Sequence, residues 1–225
     1  MDGSKSIAPI SRAKSLKEKC YDIVKELALT GKLEQGVLHN EKTLSESLGV
    51  SRTPVREALL ELSREGMIVF VPNKGFMIRE VTPSQVRDVF EVRRIIESHI
   101  IRAVTGQLTK SDIQKIGKMV KRQEKLAGQT DKVAFIEQDR DIHMFLASKM
   151  GNQQIVAILM NLRDQIHFMG VRAVEQDERM HAVVSEHKRI YVALQDRDGA
   201  RACDELISHL INTEQTIIER ITSDE

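Results

Sequence analysis

At 225 residues, with 41% apolar side chains and a formal net charge of +1, the chain can hold one large or two ordinary domains. So even a charge balance excludes a strongly basic, non-specific nucleic-acid coat. Only 4% aromatics, few prolines and abundant Leu, Ile, Glu, Lys and Arg favour a mostly α fold. Cys20 and Cys203 are isolated, which fits reduced thiols better than a disulfide framework. No apolar run approaches the roughly 20 residues that span a bilayer, and the first residues lack the apolar centre of a signal peptide. The expectation is a cytoplasmic protein with no membrane partner.

Residues 1–11 are polar and patternless and are expected to form a disordered tail. Residues 12–80 read as a winged helix-turn-helix DNA-binding domain. From Arg12 to Thr30 an apolar stripe through Leu16, Cys20, Ile23, Val24, Leu27 and Ala28 marks a first helix, stopped by Gly31. Asn40 caps a short second helix, Glu41 to Leu48, and Gly49 supplies the tight turn.

The next helix organises the chain. Ser51 and Thr53 are both good N-caps and Pro54 is tolerated in a first turn. Val55, Leu59 and Leu62 recur at helical spacing, leaving Arg52, Thr53 and Arg56 free to meet a ligand. Met67 to Val71 and Phe76 to Ile78 flank a Pro72 to Gly75 turn as a β-hairpin. In such a domain the third helix enters the major groove of double-stranded DNA and the hairpin reaches the backbone or minor groove. The residues placed at that interface are Lys42, Ser51, Arg52, Thr53, Arg56, Lys74 and Gly75. Residues 1–80 carry 13 Lys and Arg against 11 Asp and Glu, a slight basic bias on the expected side.

Gly31 to Leu33, Leu48 to Leu59, Glu65, Gly66 and Gly75 together resemble the GntR family of bacterial transcription regulators over residues 15–80. Two positions depart from its pattern: Gln35 stands where proline is common before Gly36, and His39 where an apolar residue is common. Neither touches the recognition helix.

Thr82 as N-cap and Pro83 at the first helical position open a second domain, 83–221. It shows helix-period segments near 83–105, 109–127, 131–149, 152–170, 176–195 and 199–221, joined by short breaks. These predict an all-α antiparallel bundle of about six helices. Asp139 and His143, four apart, share a face with Phe135, Ile142 and Leu146. His187 lies in a stripe with Val183, Val184, Ile190 and Leu194, and His209 borders Leu206 and Leu210. Counting helix rise from the turns at Gly151 and Asp198 puts the three histidines and the aspartate in one layer. Three imidazoles and a carboxylate suit a divalent ion such as Zn²⁺, Ni²⁺ or Mn²⁺, with room left for a ligand oxygen.

Phe90 to Glu97, Asp139 to His143, Met150 to Asn152, Glu186, His187 and His209 further resemble the FCD effector domain of FadR-type GntR regulators. That resemblance implies metal ligation by Asp139, His143, His187 and His209, and an effector-binding Arg93 facing a cavity. The helix count places Arg93 within about 10 Å of the metal layer, which suits a small dicarboxylate or hydroxy acid. The alternative for Arg93 is a surface ion pair with Glu97. Ile142 replaces a usual Phe. His99 and His181 read as ordinary helix residues, while His167 is a candidate cavity residue. Met144, Met150, Met160 and Met169 read as core, and Lys118 to Lys125 as a solvated face.

The whole describes a homodimer that presents two winged domains to a palindromic operator, as a repressor controlled by a small organic acid bound at the metal. Two rivals stay open: a metal-dependent hydrolase or lyase, and a DNA-binding regulator whose metal is purely structural.

Overall fold

A computed structural model describes residues 14–129, 131–170 and 177–223. The expected tail at 1–11 and the break at 171–176 lie outside the described residues. Two compact units meet in the chain between Arg79 and Glu80.

In the first unit α1 spans Leu16–Leu29. It starts later than the apolar stripe suggested because Ser15 and Glu18 close a reciprocal capping box, in which the Ser15 hydroxyl accepts from the Glu18 amide and the Glu18 carboxylate from the Ser15 amide. Cys20, Val24 and Ala28 of α1 are buried, as are Val55, Leu59 and Leu62 of α3 (Arg52–Arg64), against which α1 packs. Between them lies α2, Glu41–Ser47, whose first amides at Lys42 and Thr43 bond to the Asn40 side chain. Gly49 takes a left-handed φ of 64°, which turns the chain from α2 into α3. Ser51 occupies the N-cap of α3, but its hydroxyl makes no capping bond, contrary to expectation.

The wing has one strand more than the hairpin read from the sequence. β2 (Ile68–Val71) pairs with β3 (Gly75–Ile78), and β3 also pairs with a two-residue β1, Leu38–His39, giving the order β1-β3-β2. Two residues are too few to show an alternating pattern. The ring of His39 lies 5.5 Å from that of Phe76, and its Nε2 is 2.9 Å from the Glu34 carbonyl oxygen. Gln35 bridges to Ile78. Both departures from the GntR pattern thus have packing partners.

The second unit is an all-α bundle: α4 Pro83–Thr105, α5 Lys110–Ala127, α6 Lys132–Ser148, α7 Gln153–Gly170, α8 Asp177–Gln195 and α9 Gly199–Ser223. Thr82 caps α4, and Gln85 completes a capping box. Thr109 and Asp112 do the same for α5. α4 packs along α9, α5 against α6 and α8, and α8 against α9. Their shared core includes Phe90, Ile101, Ile116, Leu159, Leu194 and Leu210. Met144 and Met150 pack against this core, whereas Met160 is exposed; the side chain of Met169 lies outside the described residues. Both cysteines are buried and free, and no described helix is long and apolar enough to cross a membrane.

Gly75 decides whether the wing can close. Its φ is +140°, and an added Cβ would sit 2.0 Å from the His39 carbonyl oxygen. Gly75→Ala should therefore destabilise the protein by more than about 1 kcal/mol in a denaturant titration, by separating β1 from β3. Gly106→Ala is the control: with φ −70° and open space around its Cα, it should be neutral or stabilise by up to about 1 kcal/mol.

Candidate metal centre and nucleic-acid interface

The bundle gathers the four expected donors. Asp139 and His143 come from α6, His187 from α8 and His209 from α9, and one donor atom from each lies within 4.8 Å of all the others. Their ring centroids are 4.6 to 5.3 Å apart. Asp139 Oδ1 stands 3.5 Å from His187 Nε2 and 4.0 Å from His209 Nε2, and Oδ2 stands 3.9 Å from His143 Nε2. The three imidazoles are buried and Asp139 is partly so.

What aims them is a second ring of polar side chains that sequence reasoning missed. The Nδ1 of His143 bonds to Glu97 of α4, that of His187 donates to Gln123 Oε1 of α5 at 2.6 Å, and that of His209 to Glu186 Oε2 of α8 at 2.7 Å. With each Nδ1 hydrogen spent outward, every Nε2 lone pair points inward. His143 Nε2 and His187 Nε2 lie 3.3 Å apart with no proton to share, an arrangement that a cation between them would relieve. Donors each about 2.1 Å from one ion stand at most about 4.2 Å apart; the pairs at 3.3 to 4.0 Å meet that limit, and a set spread over 4.8 Å would have to draw in by roughly half an ångström to close on a divalent cation.

Electrostatics agree. Burial pushes the His143 imidazole down to about 4, aided by the charge of Arg163 and opposed by Glu97. Burial, then His209, also lowers His187 well below the usual imidazole range. Both rings are therefore neutral and able to ligate. Burial works to raise Asp139, but Arg163 and then the three histidines outweigh it and keep the carboxyl well below its usual range. Glu186 is held at about 2: burial opposes ionisation, and hydrogen bonds from His209 and Arg179 overcome it.

Arg93 pairs with Glu97, as the alternative reading had it, but in the buried interior rather than at the surface. Its Nε donates to Glu97 Oε1 at 2.6 Å, its guanidinium lies 4.9 Å from the centre of the Phe90 ring, and its Nη2 has no hydrogen-bond partner. Arg163 of α7, not singled out in the sequence, bonds to Asp139 Oδ2, and its Nη1 is likewise unpartnered. A signal for these residues existed. Gln123 falls on the apolar stripe of Ile116, Val120 and Ala127, and Glu97 on that of Phe90, Ile101 and Val104. Gln123 is also the polar residue of the Lys118 to Lys125 run that is fully buried, beside exposed Lys118, Lys121, Arg122, Glu124 and Lys125. His99 and His181 are exposed, and the His167 side chain lies outside the described residues.

In the winged unit Arg52, Thr53, Arg56 and Lys42 are exposed along the starts of α3 and α2, beside Lys74 in the β2–β3 turn. A groove of about 330 Å³ runs between helix and wing, lined by Asn40, Arg52, Arg56, Phe70, Asn73 and Lys74. Arg56 Nη1 bonds Glu41 Oε1 at 2.9 Å and its guanidinium lies over Phe70, which holds the fork at the groove wall. Ser51 is exposed at the head of α3, while Gly75 is the first residue of β3, just past the turn.

The profile of the FCD domain matches residues 88–212, and that of the gntR family of bacterial regulatory proteins matches residues 16–78. The chain is 25% identical over 203 residues to the HTH-type transcriptional repressor RspR of Escherichia coli K12, covering 89% of this chain and 88% of that protein. It is 28% identical over 231 residues to the HTH-type transcriptional repressor NanR of Klebsiella aerogenes, covering 92% and 87%. Its fold matches the solved structure of E. coli McbR/YncC at 19% identity, with a TM-score of 0.76 over 92% of this chain and 99% of that one. A metal-free FCD domain of another transcriptional regulator aligns with a TM-score of 0.55 and 18% identity, over 64% of this chain and 99% of that one. With a gntR-type winged head ahead of a bundle that the FCD profile covers over more than half the chain, this protein belongs to the FCD-domain branch of the GntR-family DNA-binding transcription regulators.

Proposed function

We propose that the protein is a homodimeric repressor that binds a palindromic operator and is controlled by a small organic acid bound at a divalent metal in its helical domain. The observation that carries this reading is the inward-facing set of three Nε2 atoms and one carboxylate, each imidazole held from behind. Asp139, His143, His187 and His209 would hold the ion, and Zn²⁺, Ni²⁺ and Mn²⁺ all suit such a donor set. When bound, it would supply a Lewis-acidic position for a carboxylate oxygen. Arg93, with one partnerless nitrogen beside the cluster, is placed to receive the acid. Ligand and operator binding are coupled through differential affinity for two arrangements of the dimer. That two relatives carry the name repressor supports the sign of control.

A hydrolase or lyase would need a general base facing the metal. Glu97 and Glu186 sit close, but each is committed to the back of an imidazole and to an arginine, and Asp139 is held by Arg163. That arrangement favours binding over turnover.

At the DNA face we assign Arg52, Thr53 and Arg56 to base edges or phosphates, Ser51 to the head of the recognition helix, Lys42 to the backbone, and Lys74 with Gly75 to the wing contact. Arg56→Ala should weaken operator binding by about 1–3 kcal/mol in a mobility-shift titration at fixed salt. Unchanged affinity would show that α3 does not read the operator. Lys74→Ala should lower the slope of log affinity against log salt by about 1, the signature of one lost phosphate contact.

For the metal, elemental analysis of purified protein should find about one divalent ion per chain, and His187→Ala should remove it. Adding Zn²⁺ to chelator-treated wild type should raise Tm, by the equivalent of about 2.7 kcal/mol at a hundredfold excess over Kd, and leave the variant unmoved. Equal shifts in both would mean that the ion binds elsewhere.

A further inference from the structure

The groove between α3 and the wing holds a carboxylate among its cations. Arg52, Arg56 and Lys74 line it, and so does Glu41, the single acid among its lining residues. Arg52 and Lys74 make no ion pair among the described residues, whereas Arg56 Nη1 reaches both oxygens of Glu41, at 2.9 and 3.1 Å. A carboxylate at a surface meant for DNA weakens its hold on any phosphate backbone, because non-specific affinity grows with the number of cations free to displace counterions. It must serve something other than affinity.

The two partners are unequal. The Glu41 side chain is 10% exposed and sits on the first residue of α2, while that of Arg56 is 59% exposed and open to a ligand. The Arg56 guanidinium also lies 5.8 Å from the centre of the Phe70 ring of β2. Held by α2 through Nη1 and by the wing through that ring, it keeps Nε and Nη2, its side-on fork, without a protein partner among the described residues. Two parallel N–H donors match a base edge with two acceptors, such as guanine O6 and N7. Phosphate oxygens take the same fork, but Glu41 repels a phosphate and not a neutral base edge.

Resting on the placement of α3 in the major groove, we propose that Glu41 is a specificity-determining residue: it holds Arg56 for a base edge and bars it from the phosphates. Backbone contacts then fall to Arg52 and Lys74. In a complex with the wrong sequence no matching edge is present, and Arg56 tied to Glu41 gains nothing from the backbone instead. The carboxylate thus lowers affinity for wrong DNA more than for the operator.

The test starts by selecting a consensus from a pool of randomised duplexes with the full-length wild-type protein. Affinities for the selected duplex and for a scrambled one are then titrated by fluorescence anisotropy over a salt series. Glu41→Gln, close to isosteric, should bind the scrambled duplex tighter, steepen its slope of log affinity against log salt by about 1 for each winged unit engaged, and cut the ratio of consensus to scrambled affinity by about tenfold. Glu41→Asp, a methylene short of Nη1, should lower the ratio too. In an Arg56→Ala background, Glu41→Gln should leave the ratio within about twofold, since it acts through that guanidinium. A ratio within about twofold of wild type in both single Glu41 variants, or the same fall with and without Arg56, overturns the assignment and leaves α3 as the reader. No consensus from the wild type, or no effect of Arg56→Ala on the ratio, overturns the placement of α3 itself.

Discussion

Three imidazole nitrogens turned toward one another inside a helical bundle, each ring engaged from behind through its Nδ1, are the constraint around which the second unit is built. Such lone pairs repel, and burial deprives them of water. The fold holds them there because each ring is fixed from behind by a different helix: Glu97 on α4, Gln123 on α5 and Glu186 on α8. A ring free to rotate would turn its Nε2 away. The outer partners therefore give the inner arrangement its direction, which supports the proposed cation site over a knot of hydrogen-bonded histidines.

The cost is carried by arginine. Each buried carboxylate would be expensive alone, and each has a guanidinium within hydrogen-bond reach. Such pairs stabilise the fold little in net terms, because two desolvations offset the attraction. Their contribution is positional. Glu186 receives Arg179, Asn212 and His209 at once, and Arg179 also donates to Thr213, whose hydroxyl donates to the His209 carbonyl. The His209 ring is thus held through its side chain and its backbone by one closed network between α8 and α9. The winged unit uses the same device where Glu41 and Phe70 hold the Arg56 fork.

How much of this was legible in the sequence depended on the kind of signal. Helix existence and several ends were readable because local chemistry sets them: Asn40 and Thr82 each precede an apolar stripe and each bonds the first turn that follows, whereas α1 starts later than its stripe and Ser51 makes no capping bond. The four inward donors were readable because helix rise and short turns convert sequence distance into depth. The wing's third strand was not, since β1 is two residues long and is defined by the Gly75 close approach, a tertiary fact. Arg163, Gln123, Glu97 and Glu186 lay in plain view on buried stripes, but a polar residue at a core position looks like an error in the pattern until its partner, 23 to 64 residues away, is known.

That last point reverses the usual reading of amphipathic helices. On α5 the apolar stripe runs Ile116, Val120, Gln123, Ala127, and on α4 it runs Phe90, Arg93, Glu97, Ile101. A helix can tolerate a polar residue on its buried face only if the neighbouring helices supply a satisfied partner at the same height. Several such interruptions that fall at one height in a bundle, on helices not adjacent in sequence, must therefore be satisfying one another or a shared guest. In this bundle the outer members hold the imidazoles from behind, while Arg93 Nη2, Gln123 Nε2 and Arg163 Nη1 are left without a partner beside the inner nitrogens. The remaining valence of those inner nitrogens is the physical ground for the cation proposed at this site.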